Sequence, residues 1–459
     1  MASTPNSLTT GPIWKRMTIF ALPILLGNIF QQLYNTFDAW VVGNYLGDAS
    51  LAAVSSSGSL IFMIVSFLSG VSMGAGVIIA RYYGAKDYKQ LSEAIHTNVA
   101  YGLVSGLALT LIGTLLSPVL LNWMGTPKDV MPESVSYMQW YFAGGIFMSM
   151  YNVFVGILHA VGDSKHPLIY LIVSSMINVL LDLLFVGIFG WGVGSAAVAT
   201  TISQAVSATL CFIQLIRSKN QPHRLYIRRI RFHWSSLKEI FRHGLPAGVQ
   251  NSVISIANVV VQSNINSFGT AAMAGCGSYS KLEGFAFLPI TCFTQALATF
   301  VGQNLGAGKL DRVKKGVRFG IFCCVILAEI VGLVFWLFAP ELISIFNDAP
   351  DVVLYGSSHM RTTCLFFCLL AFSHCIASIL RGAGRSTVPM LVMLVCWCLI
   401  RVTYISIAVK YVNELTTVSW AYPITWTCSS IAFLVYYLKA DWIHAFEKAD
   451  LRKKATLKH

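Results

Sequence analysis

Charged residues are scarce in this chain of 459 residues, since Asp, Glu, Lys and Arg together make up only 11% of it. A soluble globular chain is usually about 25% charged. Hydrophobic residues amount to 56%, and the mean hydropathy is +0.66. So many apolar side chains cannot all be buried in a core surrounded by water. The composition therefore excludes a soluble domain and indicates an integral membrane protein that lies in a lipid bilayer.

The sequence also lacks the alternation of apolar and polar residues that is typical of a membrane β-barrel. Continuous apolar runs recur instead, and only helices and closed barrels satisfy the backbone in lipid. We therefore predict an all-α membrane protein with twelve transmembrane helices. The predicted spans lie at roughly 14–44, 51–81, 91–118, 131–160, 165–189, 193–218, 236–267, 272–304, 311–338, 352–381, 387–412 and 416–440.

The net charge of +13 does not indicate nucleic acid, because of where the basic residues lie. With a cytoplasmic N-terminus, both ends and the even-numbered loops hold most of the Lys and Arg. This asymmetry predicts that both termini lie in the cytoplasm. The basic stretch "RSKNQPHRLYIRRIRFHW" (217–234) is then expected to anchor the topology near anionic headgroups. We expect no nucleic-acid partner.

Paired cysteines in short extracellular loops are missing, as is a cleavable signal peptide. The first apolar run follows Lys15 and Arg16, but it is too long and has no small-residue cleavage site. Most of the 11 cysteines lie in spans of the second half, so we expect small buried hydrophobes rather than disulfides or metal ligands. Cys364 and Cys368 are one helical turn apart, without a neighbouring His or acid that would complete a metal shell.

The chain repeats itself at an offset of roughly 222 residues. "GILHAVGDSKHP" (156–167) aligns with "SILRGAGRSTVP" (378–389), and "NYLGDASLAA" (44–53) aligns with "NSFGTAAMAG" (266–275). Each repeat holds six spans, so both insert the same way up. We predict two parallel six-helix bundles that are related by a pseudo-two-fold axis along the membrane normal. The expected divisions are a first bundle (1–218), a cytoplasmic linker (219–235) and a second bundle with a cytoplasmic tail (236–459).

Buried polar residues distinguish the two repeats. Asp38 in span 1 aligns with a valine, and Asn178 and Asp182 in span 5 align with Ile400 and Tyr404. Asn178 and Asp182 are four residues apart, so they lie on one helix face. Two neighbouring carboxylates in a medium of low dielectric repel each other unless a proton or a cation lies between them. Such oxygens suit a hard cation. The alternative is that each acid is separately satisfied by a backbone or hydroxyl neighbour.

The second repeat has charges of its own. Lys281 and Glu283 lie in span 8, and Arg401 lies in span 11. Residues two apart on a helix do not face each other, so Lys281 and Glu283 need separate partners. We consider a pair between Arg401 and Glu283, which would be either structural or a contact for a substrate. Glu329 is alone in an apolar run, and the sequence suggests no partner for it.

Several stretches together resemble the bacterial branch of the multidrug and toxic-compound extrusion (MATE) transporters. They are "NTFDAWVVGNYLGDASLAAV" (35–54), "SMINVLLDLLFVGIFGWGVGSAAVAT" (175–200), "FAFLPITCFTQALATFVGQNLGAGK" (285–309) and "RGAGRSTVP" (381–389). The resemblance spans nearly the whole chain. It departs from some members in the second repeat, where span 7 has no acid after Glu239 and span 10 has Arg361 and His374.

The resemblance implies two six-helix lobes and a secondary antiporter that exports organic, often cationic compounds. Inward movement of H⁺ or Na⁺ would drive export through alternating access. The implied cation site consists of Asp38, Asn178, Asp182 and Thr200, and Thr200 is assigned by the family pattern alone. These four residues would also be the metal ligands if the ion is Na⁺. We expect a small organic substrate, no cofactor beyond the coupling ion, and a monomer.

Two other functions remain to be weighed. A flippase for lipid-linked precursors would have a related architecture and a more cationic cavity, and Lys281, Arg361 and Arg401 keep that alternative open. An enzyme would need a catalytic cluster at a membrane face. "GVSMG" (70–74) matches GxSxG, but it lies inside span 2 rather than between a strand and a helix. "GAGKL" (306–310) lacks the spacing of a phosphate-binding loop. We therefore expect a protein that is not an enzyme.

Overall fold

The computed structural model describes residues 7–446, with only the backbone described for eight residues near the start of the second helix. Within that range every long regular element is helical. Ten helices are long and apolar enough to cross a membrane, and two further pairs of helices qualify if each bent pair is one span. The count is therefore twelve when each bent pair is taken as a single span. The prediction of an all-α membrane protein is confirmed.

From residue 7 onwards, seven helices form the first repeat. They are α1 (Ile13–Leu46), α2 (Asp48–Ala85), α3 (Tyr88–Trp123), α4 (Met131–Ala143), α5 (Gly145–Ala160), α6 (Lys165–Asp182) and α7 (Gly194–Arg217). A π-helical segment, Leu183–Ile188, continues α6 directly.

Nine helices form the part of the second repeat that the structure describes. They are α8 (Trp234–Asn266), α9 (Thr270–Gly306), α10 (Leu310–Leu337), α11 (Ala339–Ser344), α12 (Pro350–Cys364), α13 (Phe367–Gly382), α14 (Thr387–Met393), α15 (Arg401–Tyr411) and α16 (Leu415–Lys439). A π-helical segment, Leu394–Ile400, joins α14 to α15.

Packing groups the described residues into two compact units. The first unit holds Leu22–Gly248, and the second holds Leu8–Ala21 together with the chain from Val249 onwards. The first turns of α1 therefore belong to the second unit, and the first turns of α8 belong to the first. Each crossing point is close to a proline, Pro23 in α1 and Pro246 in α8, and both helices continue through it.

Two predicted spans are bent, a feature that hydropathy does not predict. α4 and α5 meet at 49°, and α12 and α13 meet at 53°. A bend frees backbone N–H groups at the start of the next helix, and these need acceptors. The amide of Ile146 donates to Thr110 Oγ1 at 3.1 Å. The amide of Cys368 donates to Glu329 Oε2 at 3.0 Å. Glu329 thus has the partner that the sequence could not supply.

Close helix packing explains the GxSxG match. A side chain on Gly70 would collide with the backbone of Gly248, and one on Gly74 would collide with the backbone of Gly244. α2 and the first turns of α8 therefore touch backbone to backbone inside the first unit. Small residues permit this approach in membrane helices. The glycines of "GVSMG" serve packing rather than a nucleophile turn.

The segment between α7 and α8 folds back onto the first unit. Leu225 is buried, and the amide of Tyr226 donates to His96 Nε2 at 3.0 Å. Further along, the amide of His233 donates to Thr97 Oγ1 at 3.1 Å. The guanidinium groups of Arg224 and Arg229 lie over the Tyr226 ring, at 5.1 and 4.8 Å from its centroid. Although basic, the segment is therefore ordered against α3.

Candidate functional site

Three helices of the first unit hold the four residues singled out for cation binding. Asp38 lies in α1, Asn178 and Asp182 lie in α6, and Thr200 lies in α7. Asn178 and Asp182 are fully buried, whereas Asp38 and Thr200 are partly buried. The carboxyl groups of Asp38 and Asp182 lie close enough for their charges to interact, and Thr200 lies beside Asp38. Residues more than 140 positions apart in sequence therefore meet at one place.

The contact between Asp38 and Asp182 has a chemical requirement. Ionised carboxylates accept hydrogen bonds but do not donate them. The two groups can therefore share a hydrogen bond only when one of them holds a proton, or they can share a cation. Among the described residues, Asp38 Oδ1 and both oxygens of Asp182 have no hydrogen-bond donor. The pair is thus suited to take up a proton or a monovalent cation.

Asn178 and Thr200 add neutral oxygens beside the acids. Both polar atoms of the Asn178 side chain are buried without a hydrogen-bond partner in the described part of the chain. Thr200 Oγ1 donates to the carbonyl of Ala196 at 3.1 Å, which leaves its lone pairs free. Carboxylate, amide and hydroxyl oxygens are the ligands that hard cations prefer. Whether all four residues hold one ion stays a prediction.

The backbone at Asp182 departs from an ordinary α-helix. Asp182 is the last α-helical residue of α6, and the π-helical turns of Leu183–Ile188 begin directly after it. π-Helical turns are rare and occur frequently at functional sites. Each such turn inserts an extra residue, so it rotates the following side chains relative to those before it. The side chains that follow Asp182 therefore point in other directions than a continuous α-helix would give them.

Sequence reasoning missed the tyrosines of this site. Tyr34, Tyr137 and Tyr141 each lie near Asp38, and Tyr137 also lies near Asp182. Spacing could have indicated only Tyr34, because it lies one helical turn before Asp38. Tyr137 and Tyr141 are one turn apart on one face of α4.

In the second unit, the structure separates the three charged residues. Lys281 is exposed, and its Nζ lies 5.4 Å from the centroid of the Phe346 ring. Glu283 accepts a hydrogen bond from the Tyr279 hydroxyl at 3.1 Å. Arg401 is 2% exposed and donates to Asn258 Oδ1 at 3.4 Å and to Thr425 Oγ1 at 3.1 Å.

The considered pair between Arg401 and Glu283 is not a direct ion pair. Among the described residues, no nitrogen of Arg401 lies within 4.0 Å of a carboxylate oxygen, although the two charges interact at longer range. The reason is that Tyr279 holds the Glu283 carboxylate, while groups on α8 and α16 hold the guanidinium. Lys281 and Glu283 have separate partners, as the helix geometry requires.

Comparisons with known proteins agree with the repeat and the fold. A family model described as MatE matches residues 23–184 and again residues 246–406, once in each repeat. The "Probable multidrug resistance protein YoeA" of Bacillus subtilis (strain 168) is 27% identical over 432 residues, which cover 93% of each chain. The "FAD transporter" of Shewanella oneidensis is 24% identical over 443 residues, 94% of this chain and 96% of that relative.

A solved structure shares the fold. It is described as the outward-facing conformation of a multidrug resistance MATE family transporter of the MOP superfamily, and the TM-score is 0.89. The two sequences are 23% identical, and the match covers 98% of this chain and 100% of that one. At this identity the match shows the arrangement of helices alone.

Proposed function

Since the chain belongs to the MatE family of membrane transporters, we propose that it is a secondary active exporter of small organic compounds. In this proposal, inward movement of H⁺ or Na⁺ drives export by antiport. The buried pair of Asp38 and Asp182 is the single observation that supports ion coupling most strongly. Intramembrane acids are costly and usually functional.

The coupling step follows from the chemistry of the pair. When both acids are ionised, their repulsion is relieved by one bound cation or by one proton. The ion would enter from one side of the membrane and leave on the other. The bundle around it would adopt two arrangements, each open to one side, as repeat-built transporters do. H⁺ and Na⁺ both suit these oxygens, so the proposal includes either ion.

The range of exported compounds is proposed from the relatives. Relatives carry the names "Probable multidrug resistance protein YoeA" and "Multidrug export protein MepA", which supports export of several organic compounds. One relative is named "FAD transporter", and FAD is an anion, so exported compounds need not be cations. The relatives do not favour the flippase alternative. We further propose a monomer in the bacterial plasma membrane, with both termini in the cytoplasm and no enzymatic activity.

Transport by the purified protein in proteoliposomes tests this function. A pH gradient and a Na⁺ gradient are imposed separately, and the movement of a fluorescent organic cation is followed. We expect one of the two gradients to drive movement against the concentration gradient of the dye. The proposal is wrong if neither gradient drives movement in liposomes that contain correctly folded protein.

A further inference from the structure

Arg401 is a buried cation without a paired anion. A guanidinium has five N–H donors in a planar fork. Two of these are used, by Asn258 Oδ1 and by Thr425 Oγ1, both of which are neutral acceptors. The Nε–H has no hydrogen-bond partner in the part of the chain that the structure describes. A charged side chain in a membrane helix is costly and usually functional, so unused donors at 2% exposure call for an explanation.

Aromatic rings hold the guanidinium in place. Its central carbon lies 4.6 Å from the centroid of the Tyr422 ring and 5.3 Å from the centroid of the Trp397 ring. Cation–π contacts of this kind favour the charge without using any N–H group. The rings fix the plane of the fork, and the N–H donors that are not bonded to Asn258 and Thr425 remain available. A fixed guanidinium fork matches the two oxygens of a carboxylate.

The nearest acid does not neutralise Arg401 directly. Glu283 interacts with Arg401 at longer range, and its Oε1 accepts from the hydroxyl of Tyr279. The Tyr279 hydroxyl in turn lies 2.9 Å from Thr363 Oγ1. This network keeps the carboxylate of Glu283 on α9, away from the guanidinium fork. The acid lowers the cost of the buried cation and leaves the donors free.

The repeat relates this cluster of the second unit to the acid site of the first unit. The charge of the cluster is positive, whereas that of the acid site is negative. At the repeat offset, Tyr422 corresponds to Thr200, and His359 and Thr363 correspond to Tyr137 and Tyr141. The second unit therefore builds a polar cluster at the equivalent helices, in which the charge is carried by Arg401, one residue after the counterpart of Asn178. His359 Nδ1 lies 2.6 Å from Ser419 Oγ and belongs to the same cluster. A duplicated site of reversed charge suits a ligand of reversed charge.

A polar face of α8 leads to the guanidinium. Asn251, Ser255, Asn258, Gln262 and Asn266 recur at helical spacing along α8. Asn258, Gln262 and Asn266 are exposed, and Gln262 Nε2 donates to Asn266 Oδ1 at 2.8 Å. Exposed amides in a membrane helix face water or a polar ligand rather than hydrocarbon. Because Asn258 is both exposed and bonded to Arg401, a ligand reaches the guanidinium by displacing that one amide oxygen.

We propose that Arg401, with Asn258 beside it and Tyr422 and Trp397 as walls, binds the carboxylate of a transported organic compound. The proposal rests on the export function proposed above, and it specifies a class of substrate: organic acids and zwitterions. The carboxylate takes the free N–H donors of the fork, while its organic part lies along the polar face of α8. Glu283 weakens this binding by repulsion at longer range.

Two matched dyes separate recognition of the carboxylate from the rest of the substrate. Rhodamine B is a zwitterion with a free carboxylate, and its ethyl ester is a cation with the same ring system. Binding of each dye to purified protein is measured by fluorescence anisotropy, and export is measured in proteoliposomes. The variants are Arg401→Gln, Arg401→Lys and Glu283→Gln. Lys410→Gln is the control, because it removes an exposed positive charge from the same helix.

We expect Arg401→Gln to weaken binding of rhodamine B roughly tenfold or more and to leave binding of the ester within about twofold. Arg401→Lys keeps the charge but loses the fork, so it should weaken binding of the acid less. Glu283→Gln should strengthen binding of the acid. Lys410→Gln should change neither dye. Retained binding of the ester shows that each variant is folded.

Three results would overturn the proposal. Wild-type protein that binds the ester but not the acid has no carboxylate site. Equal losses of both dyes in Arg401→Gln make Arg401 a structural residue. An unchanged affinity of that variant for the acid removes Arg401 from any site. Failure of wild-type protein to bind or export either dye contradicts the export function as well, and so is distinguishable from the failure of the carboxylate site alone.

Discussion

Replacing Asp38 by Asn tests the coupling site most directly. The amide has nearly the shape of the carboxyl group but neither its charge nor its exchangeable proton. In the first unit, this leaves Asp182 as the one acid within reach of the proposed ion. We expect Asp38→Asn to reduce gradient-driven export to the level of protein-free liposomes. The neutral amide cannot bind and release a proton, and it does not supply the second negative charge that would attract a cation.

The magnitude follows from Coulomb's law. For unit charges about 4 Å apart at an effective dielectric constant of about 20, the interaction is roughly 4 kcal/mol, or about a thousandfold in Kd. Partial exposure of Asp38 lowers this figure because solvent screens the charge. We therefore expect the affinity for the coupling ion to fall by about a hundredfold. Stability without the ion should not fall, since the substitution removes repulsion between two carboxylates.

The assay combines ion binding with transport. Binding of Na⁺ to purified protein is measured by isothermal titration, and proton uptake is measured in weakly buffered solution. Glu329→Gln is the matched control, because Glu329 is also a partly buried acid in a membrane helix. Its oxygen accepts the amide of Cys368, and the Gln oxygen can still do so. The control should bind the ion and export substrate as the wild-type protein does.

Full gradient-driven export by Asp38→Asn would refute the coupling role of the pair. Equal loss of export in Asp38→Asn and Glu329→Gln would also refute it, since the effect would then come from removing any buried acid. Loss of ion binding together with normal folding in Asp38→Asn alone is the result that the structure leads us to expect.

Further outcomes test other parts of the molecule. Tyr137→Phe removes a hydroxyl beside both acids and should weaken ion binding roughly tenfold by titration. Gly74→Ala should lower the melting temperature in detergent, because the backbone of α8 leaves no room for the added methyl group; we expect a cost of about 1–3 kcal/mol. Gly76→Ala is the control, since its methyl group has room and should not lower the melting temperature. Burial lowers the pKa of His223, so the neutral imidazole contributes fully to the free energy of unfolding above about pH 6.5, and this contribution is lost as the pH falls below that value. His223→Gln should therefore flatten the dependence of the melting temperature on pH. An impermeant maleimide should label Lys89→Cys only after the membrane is opened, and labelling from outside would contradict cytoplasmic termini.

The positions of the helices could largely be predicted from the sequence, because hydropathy depends on composition over some twenty residues. Most predicted spans agree with the helices to within a few residues. The bends within two spans could not be predicted, because hydropathy does not register a change of direction. A Gly pair at 144–145 marks one bend, but the other occurs between Leu365 and Phe367 without glycine or proline.

The candidate site was only partly accessible from the sequence. Asp38 and Asp182 are conspicuous, because a charge in an apolar run is rare and costly. The tyrosines around them are not, since an aromatic residue in a membrane helix is common. Only the packing of α4 against the acids distinguishes Tyr137 and Tyr141 from other tyrosines. A charged residue in an apolar run can be singled out from the sequence. A common residue such as a tyrosine, which lies at the site only through packing, cannot.

The two bends show how a duplicated fold diverged under one physical constraint. At the repeat offset, Cys368 corresponds to Ile146, so the freed amide lies at the same place in both repeats. Thr110 satisfies it in the first, and Glu329 satisfies it in the second. A buried N–H must find an acceptor, but any acceptor on the neighbouring helix suffices.

The same freedom applies to the polar clusters. Each bundle tolerates a buried charge that its neighbours can stabilise, and two acids in one repeat and Arg401 in the other both meet that condition. Duplication thus kept the bend and the amide that it frees at the same place in both repeats, whereas the positions and the sign of the buried charges differ between the repeats.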